Sequence, residues 1–293
     1  MENKKWMTVI KPKSSWRDID LKELWQYRDL IYLFVKRNFA TMYKQTVLGP
    51  AWIIINPLFS TLISTFVFGN IAKLSSDGVP YFLFYMCGIT VWNYFSTCLT
   101  NTSSTFVGNA RLFGKVYFPR LAVPVSTVIT GLMNFVIQLF MFIVFSVWHI
   151  IAGGSSLFGE GVLRPNFWIF ALPLLILQTA LLGLGCGIII SSLTTKYRDL
   201  TVLVGFGVSL WMYITPIIYS TTSLPAKVRA IAMLNPMAPV VEITRYAFLG
   251  TGCLPLGYWA ISLAVTAAVL YIGVWFAANA LFGVGIQTMG LYL

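Results

Sequence analysis

The chain has 293 residues, 58% of them hydrophobic and only 10% charged, with a mean hydropathy of +0.79, whereas a soluble domain carries roughly a quarter charged residues. That balance excludes an ordinary soluble domain and points to a protein that crosses a membrane several times. The formal charge of +11 does not indicate nucleic acid as a partner, because the basic residues stand at the ends of apolar runs rather than on one folded face.

Residues 1–17 are polar and basic and read as a flexible cytoplasmic tail. Over residues 18–45, Leu21, Leu24, Ile31, Phe34 and Val35 recur at helical spacing with Lys22, Glu23, Asp29, Lys36 and Arg37 between them, and Asp18 or Asp20 is placed to cap the helix. An amphipathic helix of this kind lies in the membrane interface, its charges in the cytoplasm. The first long apolar run begins only after Val47, so no secretory leader is expected. Residues 46–293 read as one transmembrane domain of six spans, making the chain an all-α integral membrane protein.

The first span is expected at about 51–72, with Pro57 near its start, and the second at about 81–105. The polar end of the second, Thr100 to Thr105, is cheap only against protein or water. The basic stretch NARLFGKVYFPR, 109–120, falls on the cytoplasmic side by the positive-inside rule. Spans three, four and five follow at about 121–151, 167–193 and 200–219. Two short amphipathic pieces, about 225–234 and 239–249, then read as a helical hairpin dipping back into the membrane from outside, before the last span at about 257–282. This topology puts both termini in the cytoplasm and assigns fifteen of the twenty Lys and Arg to that side.

The chemistry is mostly negative. None of the nine acids stands at mid-depth in a span, so no ion-coupled energy input is visible. GNARLFGK (Gly108 to Lys115) imitates a phosphate loop but has five residues between its glycines instead of four, and Val116 follows the lysine. Cys87, Cys98, Cys186 and Cys253 lie far apart without a CxxC pair, so neither a disulfide framework nor a metal is expected. Gly183, Gly185 and Gly187 fall inside a span and suit close helix packing rather than a dinucleotide. Trp92, Tyr94, Trp148, Trp168 and Trp259 sit near expected span ends, as in an interfacial belt. Phe59, Phe66, Trp211, Tyr213 and Tyr219 lie deeper or near Pro216, where packing and stacking on sugar faces are both open.

At YKQTVLGPAWIIINPLF, Tyr43 to Phe59, the sequence resembles the membrane subunit of type 2 ATP-binding-cassette exporters of lipid-linked polysaccharide, with Met42 and Thr46 in place of the pattern's arginine and serine. NARLFGKVYFPRLAVPV, Asn109 to Val125, and the stretch Thr215 to Gly250 agree, and the likeness covers about residues 20–280. The resemblance implies a homodimer of six-span subunits in a bacterial inner membrane, driven by two copies of a cytoplasmic ATPase. ATP and Mg would sit on that partner and no cofactor on this chain. It implies a substrate channel, for which Trp52, Phe59, Phe66, Trp211, Tyr213 and Tyr219 are candidates, and a cytoplasmic mouth at Tyr43, Lys44 and Gln45. It also implies an ATPase-coupling loop, Asn109, Arg111, Lys115, Tyr117, Pro119 and Arg120, and an outer gate, Pro225, Asn235, Pro236, Glu242 and Arg245; a surface ion pair is the plainer reading of Glu242 with Arg245. The short neutral end GVGIQTMGLYL departs from the charged final helix of many such subunits. Two rival functions are a small-molecule or lipid efflux permease and, in another class, a membrane-embedded enzyme acting on lipid-linked sugars, for which only Glu160 and Glu242 stand outside.

Overall fold

The computed structural model describes residues 21–44, 46–113, 118–156, 159–194, 197 and 199–289. The tail 1–17, the capping candidates Asp18 and Asp20, and Gln45, Lys115, Tyr117, Lys196 and Arg198 lie outside these, as do the side chains of Tyr43 and Arg111.

The amphipathic stretch forms α1 (Leu21–Gln26) and α2 (Arg28–Tyr43). Phe34 and Val35 of α2 are buried while Lys36 and Arg37 are exposed, as the spacing predicts. The chain turns at Gly49, which adopts the left-handed φ of +51° that a glycine tolerates best. A 3₁₀ turn, Gly49–Ala51, leads into α3 (Trp52–Ser64), which widens into a π-helical turn over Thr65–Ile71. The chain continues as α4 (Tyr81–Ser103), two single turns α5 (Thr105–Gly108) and α6 (Ala110–Phe113), and the long α7 (Ala122–Ile151). A two-residue antiparallel ladder, β1 (Ser155–Ser156) with β2 (Gly159–Glu160), closes the loop after α7. Then come α8 (Leu172–Thr194), entered through the 3₁₀ segment Phe167–Ala171, α9 (Leu200–Ile214), α10 (Ala226–Met233), α11 (Met237–Leu249) and α12 (Leu256–Met289).

Five helical stretches among the described residues are long and apolar enough to cross a membrane: Gly49–Ile71, Tyr81–Ser103, Ala122–Ile151, Phe167–Thr194 and Leu256–Phe276. The expected fifth span, 200–219, is helical only to Ile214. At about 1.5 Å per residue its fifteen residues reach roughly 22 Å, short of a hydrocarbon core of about 30 Å. Its remainder, 215–219, is non-helical, and a rearranged backbone at that depth persists only where protein satisfies its carbonyls. The second span stops at Ser103, and the last helix extends beyond 257–282 to Leu256–Met289.

α4 is the centre of the bundle, packed on α7 and α8, with α12 covering the far side of α8. The three glycines of α8 explain how closely these helices approach. A Cβ on Gly183 would stand 2.7 Å from the Cβ of Cys98, and one on Gly187 would stand 2.5 Å from the Cβ of Thr102, both on α4. Gly185 faces the opposite way, where a Cβ would lie 3.0 Å from the Leu270 backbone of α12. Small residues thus let three helices pack backbone against backbone, the main source of helix association in lipid. Two buried hydroxyls in this bundle bond back along their own helices: Thr90 Oγ1 donates to the Met86 carbonyl at 2.8 Å and Thr179 Oγ1 to that of Leu175 at 2.8 Å. Trp92 and Tyr94, expected in an interfacial belt, are instead 3% exposed each and form part of this core.

Candidate functional sites

At the α2 end of the bundle, the interface helix and the basic loop meet. Phe34 packs against Phe118, Ala122 and Val123, with Leu30, Ile31 and Phe113 around them. The Phe34 and Phe118 rings stand edge to face at 5.7 Å, a favourable arrangement for aromatic pairs. Arg120, half-buried, lies over the Phe113 ring at 5.8 Å, and its partial burial lowers its pKa. The Asn109 carboxamide turns inward and donates to the Thr105 carbonyl at 2.9 Å, and the Pro119 carbonyl accepts from the Ala122 N–H at 2.9 Å. Lys44, directly after α2, is exposed. Arg120, through Phe113, and Pro119, through Ala122, therefore border the cluster that holds α2, whereas Asn109 bonds back to Thr105 outside it; sequence spacing did not reveal this.

At the opposite end, α11 is drawn into the bundle, while α10 lies over it and is largely exposed. Almost the whole of α11 is buried, and Glu242 and Arg245 are 2% and 1% exposed. This corrects the surface ion pair: the two stand 3.5 Å apart inside the protein. Arg245 donates from Nη1 to the Pro216 carbonyl at 2.6 Å and from Nη2 to the Ile217 carbonyl at 2.5 Å. Its Cζ lies 3.7 Å from the Phe84 ring centroid, and a Cβ on Gly88 would meet its Nη2 at 3.0 Å, so α4 is shaped around it. Arg245 thus supplies the donors that the broken end of α9 lacks, and its charge is compensated by Glu242 and by the ring.

Further polar contacts secure the same region. Asn235 accepts from Trp211 Nε1 at 3.0 Å, donates to Thr215 Oγ1 at 2.8 Å, and accepts from the Met237 N–H at 3.1 Å. The Pro225 carbonyl accepts from the Arg229 N–H at 2.9 Å, while Arg229 Nη2 donates to the carbonyls of Thr222 and Leu224. The Pro236 carbonyl accepts from Ser262 Oγ at 2.6 Å, Gln178 Nε2 donates to Ser262 at 2.6 Å, and Trp259 Nε1 donates to Gln178 Oε1 at 2.8 Å. Asp77, from the loop after the first span, accepts from Ser220 Oγ and, at 2.6 Å, from Thr222 Oγ1. Asn235, Pro236, Glu242 and Arg245 are brought together around the end of α9, whereas Pro225 is exposed and bonds within its own helix; Asp77, Phe84, Gly88, Gln178 and Ser262 were missed. Asp77 carried a legible signal, as an acid in a short loop, but its partners are more than a hundred residues distant.

The six channel candidates do not converge. Phe59, Phe66 and Tyr213 are each 61% exposed on the outside of the single chain. Trp211 is packed edge-on against Trp92 and Phe95, and the Tyr219 hydroxyl donates to the Ile214 carbonyl at 2.9 Å. Trp52 borders a cavity of about 710 Å³ between α2, α3, α4 and α7.

Apolar helices of spanning length around a hydroxyl- and amide-bearing interior are the build of a multi-pass membrane protein. The chain belongs to the ABC-2 type transporter family, whose profile matches residues 29–249. It is 30% identical over 245 residues to an O-antigen export system permease protein RfbA of Klebsiella pneumoniae, covering 83% of this chain and 88% of that one. It is 28% identical over 230 residues to the protein of the same name from Myxococcus xanthus, covering 78% and 83%. The inner membrane transport permease YadH of Escherichia coli (strain K12) is 24% identical over 208 residues, covering 69% and 78%. The family is one of transport permeases, not enzymes, and membership implies an ATP-binding-cassette ATPase as partner.

Proposed function

We propose that this chain is the permease subunit that exports a lipid-linked polysaccharide, O-antigen in the first instance, across a bacterial inner membrane. Two copies form the pathway, with their termini in the cytoplasm, and two copies of the ATPase bind ATP and Mg and drive it. The relatives named for O-antigen export support the cargo. The observation that carries the motor coupling is the packing of Phe34 on Phe118 and Ala122. A push on α2 from the cytoplasm would pass through that cluster into α7, because the residues in it are in van der Waals contact. The outer hairpin would then open or close the exit as α9 moves against Arg245.

The test is genetic and biochemical. Deleting the gene should remove surface polysaccharide, and the wild-type gene should restore it. Arg111→Ala, Lys115→Ala and Arg120→Ala together should abolish restoration and coupled ATPase activity. Surface polysaccharide that persists after deletion excludes the export reading. An ATPase stimulated by drugs and indifferent to glycolipid would favour the efflux alternative, and glycosyl or phosphoryl transfer by the isolated chain would favour the enzyme.

A further inference from the structure

The cavity between α2, α3, α4 and α7 is lined by the carboxamides of Asn56, Asn93, Asn101, Asn134 and Gln138, with the Trp52 ring at its edge. Five carboxamides from three helices thus stand around one space. Amides in a membrane interior are costly unless protein, water or ligand meets them. Asn93 Nδ2 reaches Gln138 Oε1 at 3.3 Å, longer than the roughly 2.9–3.0 Å of a good N–H···O bond. Asn134 Nδ2 reaches the sulfur of Met42 on α2 at 3.6 Å. These contacts do not fill the space between the helices.

The lining also specifies what would. It contains no Lys, Arg, Asp or Glu. A phosphate is normally held by Arg or Lys, and a divalent cation by carboxylates. A carboxamide both donates and accepts, and so does a hydroxyl, so five amides with the hydroxyls of Ser60 and Thr97 complement a neutral, hydroxyl-rich surface. Trp52 adds a ring on which the apolar face of a sugar can stack. Position fits as well. Asn101 lies beside the Ser103 end of α4, and Asn93 is ten residues before that end, about 15 Å deeper at ~1.5 Å per residue. The cavity therefore runs from the α2 end of the bundle towards mid-depth.

We propose that this cavity receives the uncharged sugar portion of a lipid-linked saccharide on its way into the permease. The assignment rests on the export reading for the lipid attachment. It makes the amide-lined space, rather than the exposed rings of Phe59, Phe66 and Tyr213, the first contact with carbohydrate.

The experiment uses the permease with its ATPase in lipid nanodiscs and measures equilibrium binding of a radiolabelled prenyl diphosphate bearing a neutral trisaccharide. The comparison probe is the same prenyl diphosphate without sugar. The sugar-bearing lipid should bind about tenfold more tightly, the factor that one or two additional hydrogen bonds supply. Asn93→Leu with Gln138→Leu removes the amides at depth. Ser60→Trp fills the cavity from an exposed position and leaves every amide in place, so it covers the case in which the double variant fails to fold. Each should cut binding of the sugar-bearing lipid by about tenfold and leave the sugar-free lipid unchanged. Equal binding of the two probes by the wild type overturns the proposal and makes the cavity a lipid-headgroup site. Unchanged discrimination in Ser60→Trp overturns it too. Wild-type export is scored in parallel: its absence overturns the export reading, whereas normal export with unaltered discrimination in the variants overturns only the sugar site.

Discussion

Two helices of the bundle, α3 and α4, invert the rule that holds in water. α4 carries Thr90, Asn93, Thr97, Asn101 and Thr102 and is the least apolar of the five spanning helices, yet 83% of its spanning window is buried. α3 and its π-helical extension are more apolar, and only 17% of theirs is buried. In lipid the hydrophobic effect no longer sorts residues between inside and outside; polar groups seek protein and apolar ones are content at the surface. Exposure of Phe59 and Ile63 on α3, and of Phe66 on its extension, is therefore no defect.

The comparison breaks most sharply at Arg245. Arg245→Leu should strand the Glu242 charge and two backbone carbonyls inside the protein, costing about 3–5 kcal/mol. Loss of the monodisperse peak in detergent, or a large fall in thermal unfolding temperature, is the expected result, and Glu242→Gln added to it should recover part of the loss. If Arg245→Leu is as stable as the wild type, the clamp on the end of α9 has no structural role.

Next comes the contact between α4 and α8. Gly187→Val forces side-chain atoms into Thr102 and should cost about 1–3 kcal/mol by overpacking, read in the same unfolding assay. A smaller effect belongs to Trp211→Phe, which keeps the ring against Trp92 and Phe95 but removes the donor to Asn235. About 0.5–1.5 kcal/mol is expected for that bond, with transport reduced only as far as stability falls. The smallest effect on folding is predicted for Phe59→Ala on α3 and Phe66→Ala on its extension, within about 0.5 kcal/mol because each ring is exposed. Chemical cross-linking and transport are the sharper readouts here: loss of a cross-linked dimer or of export identifies a face covered by protein, and no change identifies one covered by lipid.

Much of this architecture was legible because a membrane span has to be long and apolar. The spans beginning near residues 51, 81, 121 and 167 emerge from composition and length, and the interface helix emerges from the periodicity of Leu24, Ile31, Phe34 and Val35. The fifth span was read too long because residues 215–219 are as apolar as the helix before them. Composition cannot show that the backbone has left the helix there, since the donors that permit this come from Arg245, about thirty residues on. The candidate sites divide in the same way. The coupling and gate segments carry local signals, namely a basic loop and a proline-broken amphipathic pair. The amide cavity carries none, because Asn56, Asn93, Asn101, Asn134 and Gln138 are isolated polar residues in three separate apolar runs.

By itself, then, the sequence determined that the chain lives in a membrane, where most of its long apolar helices begin, and which N-terminal segment forms an amphipathic helix, because hydropathy and charge act on each segment independently. Only the tertiary structure decided which polar residues are closed off and which surround open space. Arg245 and Glu242 read as a surface pair until α11 is seen packed against Phe84 and the end of α9. The reason is physical: the energy of a polar group in a low-dielectric interior depends on the partners that reach it, and those partners come from helices far apart in the chain.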